Sequence, residues 1–269
     1  MRIAASTYLN SAPLIYSFAN GTKKSLVTLL GDTAPAACSR MLDRGECDVA
    51  LIPVIESIRI PDLIVIPEIA VASKYRVRSV ILASKVPIEQ AQRVALDASS
   101  RTSQTLVKIL FEHRYNASPE FLERVPDPAS GCQNMLSDCD AALIIGDPAM
   151  KIAYAATERK LHIYDLAEEW RAMTGLPFVF AVWATRDREL SRSQIFLEAK
   201  TEGLAHRREI AAEFSRRLEL PEAELLDYLM DSVNYDLDAE NIAGMELFFK
   251  LAGSAPGSAP GSAGLRPAR

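Results

Sequence analysis

Short apolar runs alternate with polar turns along the first two thirds of the chain. Four of these runs are nearly continuous in apolar side chains, at residues 3–6, 48–52, 141–145 and 178–184. Such runs are typical of buried strands. Weaker patterns predict further strands at residues 25–30, 63–68, 77–82, 93–96 and 161–164.

Helical patterns occupy most segments between these strands. The first helix is predicted to open at Ser11 and Pro13, because serine is a good N-cap and proline fits a first turn. Further helices are predicted at residues 34–43 and 106–115, after Gly146, around Trp170, and at residues 194–218, 222–231 and 239–251. This alternation indicates an α/β protein. Residues 252–269 repeat Gly-Ser-Ala-Pro without an apolar face, which predicts a flexible tail.

Two strand–helix series share one order, and the second is inserted between the strands near residues 80 and 180. We therefore predict two lobes, residues 1–82 plus 179–251 and residues 88–174, joined by two crossovers. This arrangement resembles the clamshell of periplasmic binding proteins. Because open α/β sheets bind ligands at the carboxyl ends of their strands, the ligand cleft is expected between the lobes.

The composition excludes several classes of protein. A net charge of −5 without a basic run argues against nucleic-acid binding. No apolar run approaches the roughly 20 residues that span a bilayer, and the chain starts in a strand rather than in a signal segment. The four cysteines show no CxxC spacing and no histidine at ligand spacing, which favours buried thiols over a metal site. We expect a cytoplasmic protein without metal or cofactor.

Three polar turns are expected to face the cleft. Tyr8, Asn10 and Ser11 follow the first strand, and Gly146 and Asp147 follow the strand at residues 141–145. The third turn, residues 99–103, contains Ser100, Arg101, Thr102 and Ser103 at a helix start and suits a carboxylate or phosphate. In each turn the alternative role is helix capping, with Arg101 in solvent.

Familiar catalytic patterns are missing from the sequence. His113, His162 and His206 lie away from the predicted cleft turns. A Ser/His/Asp triad, an HExxH pair, a P-loop and a GxGxxG are also absent. Pattern and composition by themselves therefore favour a binding protein over an enzyme.

Six segments in order nevertheless resemble one enzyme family. They are TYLNSAPL at residues 7–14, DVALIP at 48–53 with Glu56, Ser79 in RVRSVIL, SRTS at 100–103, IGDPA at 145–149, and the stretch from Trp170 to Trp183. The chain resembles the chorismate dehydratases of the futalosine route to menaquinone, which use the periplasmic-binding-protein-like type II fold. The resemblance covers all but the tail.

The resemblance implies dehydration of chorismate to 3-[(1-carboxyvinyl)oxy]benzoate. It implies that Asn10 and Ser79 lie at the reacting centre, where an amide and a hydroxyl can stabilise a dienolate or a leaving hydroxide. Aromatisation supplies most of the driving force, so the protein need only position the substrate and stabilise charge. Three candidates for the base stay open: a substrate carboxylate, Asp147 and Glu56.

Three other functions compete with this interpretation. The sister enzyme that forms 1,4-dihydroxy-6-naphthoate typically has a Ser-Pro-Cys-Pro-Asn-like turn and a histidine, and neither is found here. A small-anion solute-binding protein would need a signal segment or lipobox cysteine. A ligand-sensing domain would be fused to a further domain, for which 269 residues leave no room. The expected partner is a small-molecule substrate, and the sequence leaves the oligomeric state open.

Overall fold

The computed structural model describes residues 1–31, 34–127, 132–155 and 160–254. The strands are β1 Arg2–Ala4, β2 Thr28–Leu30, β3 Val49–Pro53, β4 Ile64–Ser73, β5 Val80–Ser84, β6 Arg93–Asp97, β7 Glu120–Arg124, β8 Ala141–Ile145, β9 His162–Asp165 and β10 Phe178–Thr185. Within the described residues, two 3₁₀-helices, Lys24–Leu26 and Ile88–Gln90, and a π-helical turn, Tyr228–Ser232, accompany the α-helices.

The α-helices are α1 Ala12–Ala19, α2 Pro35–Asp43, α3 Glu56–Arg59, α4 Arg101–His113, α5 Gln133–Leu136, α6 Gly146–Tyr154, α7 Leu166–Thr174, α8 Arg188–Ser191, α9 Ile195–Ala205, α10 Arg207–Leu218, α11 Glu222–Asp227 and α12 Ala239–Ser254. Within the described residues, none of the helices has both the length and the apolar content needed to span a bilayer.

The described strands form two five-stranded sheets with matching orders, β2-β1-β3-β10-β4 and β7-β6-β8-β5-β9. In the first sheet β10 runs antiparallel to both of its neighbours, and in the second β5 does the same. The chain reaches each of these two strands directly from the other sheet. β5 follows β4 of the first sheet, and β10 follows β9 of the second sheet and the helix α7. The chain is therefore an α/β protein of two lobes, and in each lobe the antiparallel strand is the first that the chain forms after it crosses from the other lobe.

The position of β5 corrects one expectation from the sequence. The strand at residues 77–82 was expected in the first lobe, but Val80–Ser84 is hydrogen-bonded to β8 and β9 of the second sheet. The expected boundary at residue 82 therefore falls inside a strand of the second sheet. From the strand pairing we propose that the crossovers lie at residues 74–79 and 175–177.

Several element boundaries also differ from the predicted ones. Strand β7 was not predicted, because Glu120, Glu123 and Arg124 interrupt its apolar pattern. The helix predicted at residues 194–218 is divided at His206 into α9 and α10. Helix α12 extends to Ser254, and the rest of the predicted tail, residues 255–269, lies outside the described residues.

The two lobes share hydrophobic packing at the cleft. One buried cluster includes Ile52 and Phe180 of the first sheet together with Leu96 and Ile145 of the second. A separate cluster packs α1, α9 and α10 against the outer face of the first sheet. The carboxyl ends of β1, β3, β6 and β8 consequently face one another across a narrow space.

Candidate functional site

A cavity lies at the carboxyl ends of β1, β3, β6 and β8, between the two sheets. Its volume is about 520 Å³ when its opening to solvent is included. Polar lining is supplied by Ser6, Tyr8, Asn10, Ser11, Ser100, Thr102 and Ser103. Apolar lining is supplied by Leu51, Val71, Val80, Ile145 and Phe180. The lining therefore suits a small ligand that carries both polar and apolar groups.

Four helices begin at the wall of this cavity. Ser11 precedes α1, Pro35 opens α2, Ser100 precedes α4, and Gly146 opens α6. The first N–H groups of a helix lack intrahelical acceptors, and its N-terminus has a partial positive charge. Among the described lining residues there is no lysine or arginine. The cavity thus attracts anions through backbone dipoles rather than through cationic side chains.

The start of α4 presents hydroxyl groups to the cavity. Ser100 Oγ donates to Ser103 Oγ at 2.8 Å, and Thr102 Oγ1 accepts the backbone N–H of Ile55 at 3.2 Å. As acceptors in these bonds, Ser103 and Thr102 keep their own hydroxyl hydrogens available for another acceptor. Both side chains are almost fully buried, so water would compete little with their hydrogen bonds to an anion in the cavity.

The turn before α4 is shaped by a buried carboxylate that the sequence analysis did not single out. Asp97 Oδ1 accepts the backbone N–H of Ser99 at 2.8 Å and its hydroxyl at 2.6 Å. Burial raises the pKa of Asp97, and the two bonds from Ser99 oppose that rise. The carbonyl of Ser99 in turn accepts the N–H of Ala36 at the start of α2. Asp97 therefore helps to orient the hydroxyl-rich turn against the opposite lobe.

The turn between β1 and α1 is braced by Ser11. Its hydroxyl lies 2.7 Å from the carbonyl of Ser6 and 3.0 Å from that of Tyr8, and it makes no capping bond to α1. Asn10 is half-buried on the cavity wall beside it. Burial, with Asp97 and Asp147 adding to it, raises the pKa of Tyr8 to about 12, so its phenol is neutral at neutral pH. Asn10 and Tyr8 are therefore neutral hydrogen-bonding groups at the site.

Three residues expected in the site do not line the cavity. Ser79 lies behind Gly146: its carbonyl accepts the Gly146 N–H at 2.7 Å, and its hydroxyl accepts the phenol of Tyr228 at 2.7 Å. Asp147 is bonded to the N–H of Leu9 and to Arg217. The Arg101 side chain is about half exposed and lies 4.0 Å from Glu56. The structure does bring together Tyr8, Asn10, Ser11, Ser100, Thr102, Ser103 and Gly146.

The described residues place no strong base on the cavity wall. Among the described residues, its lining includes no histidine, aspartate, glutamate or lysine. Glu56 is paired with Arg59 at 3.4 Å, and Asp147 with Arg217 at 2.7 Å. The described part of the chain also holds no group of three His, Cys, Asp or Glu side chains that could bind a metal ion. The described lining can orient a ligand and stabilise charge, but it includes no side-chain base.

Sequence reasoning missed Ser6, Phe180, Asp97, Arg217 and Tyr228. Ser6 ends the strand predicted at residues 3–6 and Asp97 directly follows the one predicted at residues 93–96, so their place at the cleft edge could have drawn attention to them. Arg217 and Tyr228 belong to the C-terminal helical region and meet partners 70 and 149 residues away. No local pattern marks such contacts.

Comparison with known proteins identifies the family. A family model described as menaquinone biosynthesis matches residues 1–254. The chain is 34% identical over 237 residues to the chorismate dehydratase of Thermus thermophilus, covering 81% of this chain and 84% of that protein. It is 24% identical over 250 residues to the chorismate dehydratase of Campylobacter jejuni, covering 90% and 93%.

A solved structure supports the fold. It is a Candida albicans protein described as having the generic periplasmic binding protein fold, with a TM-score of 0.66 and 15% identity, covering 96% of this chain and 92% of that one. At that identity the likeness concerns the fold alone, and it agrees with the two lobes seen here. The match over residues 1–254 and the 34% identity show that the chain belongs to the menaquinone biosynthesis family, which includes the chorismate dehydratases.

Proposed function

We propose that this protein dehydrates chorismate to 3-[(1-carboxyvinyl)oxy]benzoate. The observation that supports this most is the convergence of four helix N-termini and several hydroxyl groups on one cavity whose described lining has no cationic side chain. Chorismate is a small dicarboxylate with an apolar ring face, which suits such a lining. The family and the names of its relatives point to the same substrate.

The start of α4 is the proposed site for one substrate carboxylate. Thr102 and Ser103 have hydroxyl hydrogens available, and the first N–H groups of the helix lie beside them. The apolar side chains of Leu51, Val71 and Phe180 would then contact the ring. This placement orients the ring before any bond is broken, and orientation is the contribution that the described lining, which includes no side-chain base, is best suited to make.

The proposed chemistry is an elimination through a dienolate. The ring proton beside the enolpyruvyl ether is vinylogous to the ring carboxylate, so its removal sends the C–H electron pair into that carboxylate as a dienolate. The electron pair then returns to the ring as the C–O bond of the neighbouring ring hydroxyl breaks and hydroxide leaves. Hydroxide takes up the removed proton, water is released, and the ring is aromatic. Asn10 can donate a hydrogen bond to charge that exists only during these steps.

Of the three candidates for the base, we favour a carboxylate of the substrate. Asp147 and Glu56 are each engaged by arginine and do not line the cavity. The enolpyruvyl carboxylate, by contrast, is carried next to the ring proton by the substrate itself. Ser79 supports the reaction indirectly in this proposal, because its carbonyl holds the Gly146 N–H at the start of α6. The four cysteines are buried thiols, which fits a reducing cytoplasm as the place of the reaction.

A non-catalytic anion-binding protein is the second candidate, and a described cavity lining without a side-chain base favours it. Incubation of the pure protein with chorismate separates the two functions. We expect the absorbance of the cyclohexadiene to disappear and a product lighter by one water to form. Saturable binding measured by calorimetry, with chorismate recovered unchanged, would contradict the enzyme and support the binding protein.

A further inference from the structure

Arg217 and Asp147 form an ion pair across the cleft. Arg217 belongs to α10, which packs on the first sheet, whereas Asp147 is in the first turn of α6 in the second lobe. Arg217 Nη2 lies 2.7 Å from Asp147 Oδ2 and 3.1 Å from the backbone carbonyl of Thr7. The arginine thus contacts both lobes at once.

The same aspartate binds the turn that follows β1. Asp147 Oδ1 accepts the backbone N–H of Leu9 at 2.9 Å. Arg217 contacts Thr7, Asp147 contacts Leu9, and the ion pair joins Arg217 to Asp147. The three contacts close a ring around Tyr8, and Asn10 follows directly. Two groups of the cavity wall are therefore positioned by a contact that involves both lobes.

Arg217 is oriented for this role by its own neighbours. Its guanidinium lies 3.8 Å from the centre of the Phe214 ring, which is buried in the core of the first lobe. Asp147 is 8% exposed, and burial raises its pKa while Leu9 and Arg217 oppose the rise. Without the arginine, a buried carboxylate would keep only one backbone donor, which makes the closed arrangement less favourable.

We propose that Arg217 and Asp147 are positioning residues that couple closure of the cleft to the placement of Asn10. When the lobes separate, Asp147 leaves both Leu9 and Arg217, and the turn that contains Tyr8 and Asn10 keeps only the contact between Arg217 and Thr7, which lies within the first lobe. When they close around a ligand, the ion pair forms and fixes the turn. This inference rests on the proposed function for the effect on turnover, but its effect on the turn needs no substrate.

The test uses Arg217→Gln, Asp147→Asn and the double variant, with Arg216→Gln as control. Arg216 is the preceding residue on α10 and is exposed, so its change removes the same charge from the same helix. The rate of hydrogen exchange at the Leu9 amide is measured in each variant without substrate. We expect exchange at least tenfold faster in both single variants, no additional acceleration in the double variant, and no change in Arg216→Gln. Unchanged exchange at Leu9 in Arg217→Gln would overturn the coupling.

Steady-state kinetics provides the second readout. We expect kcat to fall about 10- to 100-fold in Arg217→Gln with a smaller change in KM, because a displaced Asn10 affects the reacting complex more than ground-state binding. A lower melting temperature with normal kcat per folded molecule would assign the ion pair to stability alone and overturn the inference. Lack of chorismate turnover by the unaltered protein would reject the proposed function, while Leu9 exchange would still decide the coupling.

Discussion

The ring of Tyr8 lies directly against Gly146, across the cleft between the two sheets. A Cβ at position 146 would be 2.8 Å from two ring carbons, closer than side chains approach one another. Gly146 also has a φ of +65°, a left-handed conformation that residues with a Cβ adopt at a cost. One glycine thus permits both the turn into α6 and the contact that closes the cavity.

Gly146→Ala should therefore impair closure in addition to destabilising the turn. Left-handed strain alone is worth about 1–2 kcal/mol, and the overlap with Tyr8 adds to it. Gly175→Ala is the matched control, since Gly175 has a φ of +75° with no atom within 4 Å of its Cβ position. Urea unfolding should show a larger loss of stability in Gly146→Ala than in Gly175→Ala, and turnover should be lost only in Gly146→Ala. Equal turnover in the two would show that the Tyr8 contact is not needed.

Asn10→Ala should remove most of the turnover while leaving the fold stable. A donor to charge that develops in the reaction is typically worth about 100- to 1000-fold in kcat. Asn20→Ala is a control at the other, exposed end of α1. Melting temperature, chorismate affinity and turnover should be measured on one preparation of each variant. A loss of stability with normal turnover would make Asn10 a structural residue.

Ser103→Ala should weaken chorismate binding more than Arg101→Ala does. The Ser103 hydroxyl lies on the cavity wall, whereas the Arg101 side chain is 51% exposed and near Glu56. Loss of a hydrogen bond to a charged group costs roughly 1.5–3 kcal/mol, about 10- to 150-fold in affinity. Calorimetry in the Asn10→Ala background avoids consumption of the ligand. A stronger effect of Arg101→Ala would place the anion outside the cavity instead.

Tyr228→Phe tests the bond between Tyr228 and Ser79. Burial raises the pKa of this fully buried tyrosine well above its ordinary value, so the phenol donates to Ser79 at every working pH. Removing the hydroxyl should cost about 0.5–1.5 kcal/mol of stability. It should also lower turnover, because Ser79 holds Gly146. Ser79→Ala combined with Tyr228→Phe should be little worse than either alone, and additive effects would show that the two act independently.

The contact between α1 and α9 should make the free energy of unfolding depend on pH. Hydroxyls of Ser17 and Thr22, each 2.6 Å away, lower the pKa of Glu202 from 4.5 to about 2. Because the folded pKa is depressed, this stabilisation is complete above about pH 5 and is lost as the pH falls toward 2. Solvent screening keeps the contribution of Glu202 to the free energy of unfolding modest.

The urea midpoint of Glu202→Gln should lie below that of the unaltered protein at pH 7 and pH 5. The gap should narrow by pH 3, since protonation then removes the same charge from the unaltered protein. Glu213→Gln, an exposed change on α10, serves as the control. A gap that stays constant from pH 7 to pH 3 would show that the Glu202 charge is not the cause.

Much of the site could be predicted because it is built from local turns. Asn10, Ser11 and the residues Ser100, Thr102 and Ser103 each follow an apolar run that ends in a polar helix start. A buried strand followed by a helix places that turn at the carboxyl end of a sheet, whatever the rest of the chain does. Strand, turn and helix start are encoded within about ten residues, so their placement on the cavity follows from sequence.

Other features depended on contacts between distant segments. Residues 80–84 have the same apolar pattern whichever sheet they join, and only pairing with β8 and β9 assigns them to the second lobe. Arg101, Asp147 and Ser79 look like site residues in the sequence, but Glu56, Arg217 and Tyr228 engage them away from the cavity wall. A polar side chain in a turn can meet a ligand or another part of the protein, and which it meets depends on packing between lobes. That packing brings Arg217 to Asp147 over a separation of 70 residues, beyond the reach of any local pattern.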